Sequence, residues 1–106
     1  MKHGFIKAAA GTPCIQVADC IHNTEEILRL VKEMSAHGAK IMGFPELCIT
    51  GYTCQDLFLQ ERLLEESLDG LKIVLKHTKG HDALTFVGLP FEKNGKLYNV
   101  AAALQD

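Results

Sequence analysis

The chain has 106 residues, 47% hydrophobic and 23% charged, with 11 Lys and Arg against 13 Asp and Glu for a formal net charge of −2. That length suits one small domain with one core. The scattered, nearly balanced charge gives nucleic acid no basic face, and no apolar run approaches the ~20 residues of a membrane span. The Met1–Phe5 start has no apolar stretch of signal-peptide length, so a cytoplasmic location is expected.

Phe5–Ala10 is short, apolar and bounded by Gly11-Thr12-Pro13, and reads as a first strand. A loop from Cys14 to Ile21 follows, with Ile15-Gln16-Val17 compatible with a short extended piece. Asn23 fits a helix N-cap, with Glu26 three residues on as capping-box partner. Glu25 and Glu26 would then complement the helix dipole. Ile27, Leu30, Val31 and Met34 recur at helical spacing as one apolar stripe, and Gly38 closes the helix.

Lys40–Phe44 is the second strand, ended by Pro45. Strand, helix and strand make a βαβ unit with a right-handed crossover and parallel strands. Gly51 marks a turn, and Asp56 suits the start of another helical segment. A longer helix follows over about Gln60–Thr78. Leu64, Leu68, Leu71 and Leu75 form its stripe, widened by Leu63, Ile73 and Val74. Gly70 inside it suggests a close helix contact, because glycine there costs up to ~1 kcal/mol against alanine. Lys76, His77 and Lys79 suit the helix end, and Gly80 stops it. Leu84–Leu89 is the third strand. Asn94-Gly95 is a strong hairpin signal, since a type I′ turn needs φ > 0 at both central positions. It sends Leu97–Leu104 back antiparallel. The sum is an α/β layered fold with a mixed sheet.

The four cysteines, Cys14, Cys20, Cys48 and Cys54, lack zinc-finger spacing, and the five histidines (His3, His22, His37, His77, His81) show no pattern. No metal site is expected, and buried reduced thiols are.

One carboxylate stands out. Ile41–Leu47 runs a strand into Pro45 and delivers Glu46 at its carboxyl end, where open α/β sheets bind ligands. Walled in by Phe44, Leu47 and Ile49, Glu46 would be poorly solvated. Its charged form would be disfavoured, as a general base near neutral pH requires. The competing reading is a Glu that caps a loop or pairs with a basic residue.

These residues carry a resemblance. Phe44-Pro45-Glu46-Leu47 at a strand end resembles the nitrilase, or carbon–nitrogen hydrolase, superfamily. Gly51-Tyr52, Asp56-Leu57-Phe58, Gln60, Val87-Gly88-Leu89-Pro90 and Leu97-Tyr98-Asn99 narrow it to the amino-terminal glutaminase domains of glutamine-dependent NAD synthetases. The likeness runs from His3-Gly4-Phe5 to Asn99. It implies the first part of a nitrilase-like α-β-β-α sandwich, a mixed sheet with helices on one side. It also implies Glu-Lys-Cys chemistry on glutamine, with Glu46 as general base. Tyr52 matches a tyrosine that lines the glutamine pocket, or else is a ring supporting its loop. Asn99 matches a structural Leu-Tyr-Asn segment. No cofactor is implied for the glutaminase part, while ATP and Mg serve the parent enzyme's carboxy-terminal synthetase domain. Homo-oligomers are implied too.

The resemblance places the Lys and the nucleophilic Cys after the Leu-Tyr-Asn strand, and neither lies within this sequence. Lys93 and Lys96 flank the hairpin turn and replace neither. Cys48, two residues beyond Glu46, is the one alternative nucleophile. The expectation is an amino-terminal part, silent by itself, with one sheet face left uncovered and open to self-association. The rival readings are a stand-alone amidase of the same superfamily and a non-catalytic interaction module.

Overall fold

The computed structural model describes residues 4–80 and 82–105. Expectations that involve Met1–His3, His81 and Asp106 lie outside the described residues. The elements run β1 (Ala8–Ala10), α1 (Cys20–Ala36), β2 (Ile41–Gly43), a 3-10 turn (Gln55–Leu59), α2 (Glu61–Thr78), β3 (Leu84–Lys93) and β4 (Lys96–Leu104).

One four-stranded sheet has the order β1-β2-β3-β4. β1 and β3 both flank β2 in parallel, with Ala9 opposite Met42 and Met42 opposite Thr85. β4 returns antiparallel to β3 over a register from Thr85↔Leu104 to Lys93↔Lys96. Asn94 and Gly95 both have positive φ, 54° and 76°, which is the type I′ turn that their dipeptide demands.

Strand alternation separates two faces. Met42, Thr85, Val87, Leu89 and Leu104 are buried, and the apolar four meet Ile27, Val31 and Met34 of α1 and Leu63 and Val74 of α2 in one core. The other face carries Ala8, Ala10, Ile41, Phe86, Ala101 and Ala103, all exposed. Both helices therefore cover one side of the sheet, and the opposite side is open, as the layer pattern implied. Gly70 permits the helix–helix contact that its position suggested, since a Cβ there would lie 2.6 Å from Thr24 Oγ1.

Four local expectations are corrected. β1 spans only Ala8–Ala10 rather than Phe5–Ala10. α1 begins at Cys20 and is capped by Asp19, whose Oδ1 accepts from His22 N at 3.0 Å. Asn23 is no cap but a fully buried residue inside the helix. The buried face of α2 keeps Leu64 of the leucine stripe, with Leu68 and Leu71 half-buried against the core, but is rotated toward Leu63, Ser67, Gly70, Val74 and Thr78, leaving Ile73 and Leu75 exposed. β3 runs on through Pro90. Phe86 and Gly88 both turn their carbonyls to the β2 side, so by alternation Pro90 aims its missing donor there, beyond the end of β2, and loses no ladder bond to β4.

Candidate functional site

The parallel ladder between β2 and β3 breaks at one place. Phe44 N donates to Phe86 O at 3.1 Å. An uninterrupted ladder steps by two and would next use Glu46 N for Gly88 O. The donor is instead Ile49 N, at 3.2 Å. Three extra residues are thus looped out, and Gly88 shows where they go. A Cβ on Gly88 would point to the open face, on the same side as Phe86. There it would lie 2.4 Å from Leu47 N, 2.9 Å from Pro45 O and 3.1 Å from the Glu46 carbonyl carbon. The Pro45–Leu47 backbone lies directly on β3, and only glycine admits it. Leu47 completes the bend with φ of 53°, a left-handed conformation that costs a bulky residue roughly 1–2 kcal/mol.

This excursion plants Glu46 on the open face of the sheet. It borders a shallow cleft of about 280 Å³ with Phe44, Pro45, Phe86, Gly88, Asn99 and Ala101. Glu46 is the only titratable side chain among those that line the cleft. The expected walls are absent, because Glu46 is exposed: Leu47 and Ile49 are buried elsewhere, and only half-buried Phe44 borders the cleft. Among the described residues, no cation or donor pairs with its carboxylate, so the competing reading of a loop cap or an ion pair finds no partner. Asn99, expected to be structural, faces the same cleft from β4, opposite Pro90.

After Glu46 the chain turns inward. Leu47, Cys48, Ile49, Thr50 and Gly51 are all buried, and Tyr52 emerges 74% exposed. Glu46 and Tyr52 are therefore the two exposed ends of one buried five-residue turn. Cys48 sits inside it, 1% exposed, with its thiol directed to Gly88 O at 3.7 Å. Burial pushes the Cys48 thiol up in pKa, opposed only in part by backbone hydrogen bonding. A thiol held protonated and out of solvent is unsuited to nucleophilic attack. Cys20 is pushed further, up to about 12, by burial first and then by the charges of Glu66, Cys54 and Asp19. Cys14 alone is exposed, against the expectation of burial, and all four thiols are free. Among the described residues, no three His, Cys, Asp or Glu side chains gather to hold a metal, and no helix is long and apolar enough to cross a membrane.

A groove of about 510 Å³ lies between α1 and α2, on the covered side of the sheet. It shares no residue with the cleft beside Glu46, which is where the chemistry of the strand end points.

A mixed sheet with two helices on one face, and a carboxylate looped out onto the other, defines half of a layered α/β fold with its site on the open side. The chain belongs to the carbon–nitrogen hydrolase family, whose model matches residues 7–106. It is 36% identical over 88 residues to glutamine-dependent NAD(+) synthetase of Aquifex aeolicus, covering 83% of this chain and 15% of the relative. It is 29% identical over 103 residues to the protein of that name from Mycobacterium bovis, again 15% of the relative's length. Among solved structures, a glutamine-dependent NAD(+) synthetase from Cytophaga hutchinsonii matches with a TM-score of 0.88 at 28% identity, covering 94% of this chain and 17% of that one. An amidase from Nesterenkonia sp. shares the fold with a TM-score of 0.78 at 18% identity.

The residues that sequence reasoning missed are Gly88 and Asn23. Gly88 was read only as part of a motif, although a glycine inside an apolar strand is also a sign of close backbone approach. Asn23 was seen but assigned to a helix end.

Proposed function

We propose that this chain is the amino-terminal part of a glutamine amidohydrolase domain of the glutamine-dependent NAD synthetase type. The observation that supports this best is the likeness to the Cytophaga hutchinsonii synthetase, over 94% of the chain. The looped-out Glu46 agrees with it, because a carboxylate on an open face that no described residue pairs with is available to a reacting group.

In this reading Glu46 is the general base. It takes the proton from a cysteine thiol, and the thiolate attacks the side-chain amide carbon of glutamine. The C–N bond breaks, the proton leaves with the nitrogen as ammonia, and a thioester remains. Water then hydrolyses the thioester to glutamate and regenerates the thiol. A lysine stabilises the oxyanion of each tetrahedral step. The cleft lining holds neither Lys nor Cys, so both are supplied by chain outside these 106 residues, and this segment is silent by itself. Tyr52, at the far end of the buried turn, lines the glutamine pocket. The ammonia passes to a carboxy-terminal synthetase domain, which uses ATP and Mg²⁺ to amidate nicotinic acid adenine dinucleotide. No residue of this chain is assigned to either. The enzyme is a cytoplasmic homo-oligomer.

The test is ammonia release from glutamine by the full-length protein, by its Glu46→Gln variant and by the 106-residue segment. Activity in the full-length protein, with a loss of about 10²–10⁴-fold in Glu46→Gln and none in the segment, is expected. Turnover by the segment, or an active Glu46→Gln variant, refutes the reading.

A further inference from the structure

We propose that Asn23 is a positioning residue. From inside α1 it fixes the buried turn whose two ends are Glu46 and Tyr52. Asn23 is completely buried. Its Oδ1 accepts from Gln16 N at 2.7 Å, and its Nδ2 donates to Gln16 O and to Ile49 O, both at 2.8 Å. One amide thereby uses three of its four hydrogen-bonding positions to tie three separate pieces of chain together. Ile49 is the middle residue of the buried turn. Beside it, Ala18 N donates to Thr50 O at 2.7 Å, and Ile15 and Val17 pack against Gly51. The loop that Asn23 grips at Gln16 is the loop that braces Thr50 and Gly51.

The turn is held from the other side by β3, through Ile49 N on Gly88 O and the Cys48 thiol on the same carbonyl. Within it, Gly51 N donates to Leu47 O at 2.7 Å, and Cys54 Sγ reaches Thr50 O and Gly51 O. Without Asn23, α1 loses the one side-chain hydrogen bond that it makes to the turn among the described residues, while His22 still meets the loop at Cys14 O, and Ile49 O is left buried and unpaired. The strained bend at Leu47 then has less to hold it. Displacement of the turn moves both exposed ends together, since nothing between Glu46 and Tyr52 reaches solvent. Only an amide suits the position. Aspartate keeps the shape but turns an acceptor toward the Gln16 and Ile49 carbonyls.

The activity arm of the test rests on the glutaminase reading, and the second arm does not. In the full-length protein, Asn23→Asp and Asn23→Ala are compared with Val31→Ala, a core truncation eight residues further along the same helix that removes no hydrogen bond to the turn. Loss of folded molecules lowers kcat and leaves KM alone. Displacement of Glu46 and Tyr52 raises KM for glutamine about ten-fold and lowers kcat/KM about 100-fold. The second arm is the alkylation rate of each cysteine, read by mass spectrometry. Cys48 and Cys54 are 1% and 3% exposed within or next to the turn, and they react faster in the Asn23 variants than in Val31→Ala of equal thermal stability. Unchanged KM, or thiols no more reactive than in that control, overturns the proposal. If the wild-type protein releases no ammonia, the glutaminase reading fails, and the alkylation arm still decides the role of Asn23. Where Asn23→Asp does not fold, Asn23→Ser carries both measurements.

Discussion

Gly88→Ala is the sharpest perturbation that the structure offers. The added methyl would lie 2.4 Å from Leu47 N, and its other near neighbours, at 2.9 and 3.1 Å, are backbone atoms of Pro45 and Glu46. No side chain can swing aside. Carbon–nitrogen contact needs roughly 3.5 Å, so the looped-out segment must lift by about 1 Å. Overpacking of this kind costs about 1–3 kcal/mol, which lowers Tm by roughly 4–12 °C in a domain of this size. On the glutaminase reading proposed above, the same displacement carries Glu46 away from the proton it would take and costs about 100-fold in kcat/KM for glutamine. Gly43→Ala is the internal control, because a Cβ there meets nothing within 4 Å and Gly43 has no positive φ. Thermal unfolding by circular dichroism and ammonia release are measured on both variants. A Gly88→Ala protein as stable and as active as Gly43→Ala would show that the Pro45–Leu47 backbone does not rest on β3.

Three further outcomes follow from the helix and the thiols. Asp19→Ala removes the acceptor for His22 N and costs about 0.5–2 kcal/mol in chemical denaturation, whereas Asn23→Ala costs more because it orphans a buried carbonyl. Alkylation at pH 8 modifies exposed Cys14 first and Cys20 last. Cys20 has its pKa raised from 9.0 to about 12, so the folded state holds a proton that the unfolded chain gives up. Stability from this group is complete below pH 9 and declines as pH rises from 9 to 12, and a Cys20→Ala variant flattens that alkaline decline.

Much of the architecture could be read from local chemistry. Asn94-Gly95 announced its hairpin, and two strand–helix–strand passages announced parallel pairing, because each feature is decided by residues close in sequence. Gly70 announced a helix contact by the cost of a glycine inside a helix, although its partner, Thr24, lies on another helix. The misreadings share one cause, which is that a distant segment decided the outcome. Asn23 looks like a cap until the Ile49 carbonyl is brought beside it. Pro90 looks like a strand breaker until β2 is seen to end earlier. Glu46 was expected among apolar walls because its neighbours are apolar. The three-residue insertion turns Leu47 and Ile49 inward and Glu46 outward, and that insertion is visible only in the pairing with β3. The strand end was legible as a site, but its exposure was not.

The order of the sheet has a consequence for synthesis. β2 pairs on one side with β1 and on the other with β3, so its second partner, beginning at Leu84, emerges 41 residues after Gly43. At ~5–20 residues per second on a ribosome, that wait lasts about 2–8 s. During it, Met42 and Ile49 have no strand to complete their side of the core. The β3–β4 hairpin, closed by a two-residue turn, then forms within about 1–10 μs of release. The last two strands of this sequence to appear can therefore pair with each other within microseconds, and β3 then offers β2 its second partner. Slowing of refolding by Gly95 substitution, more than by any change in β1, would be the kinetic signature of that sequence of events.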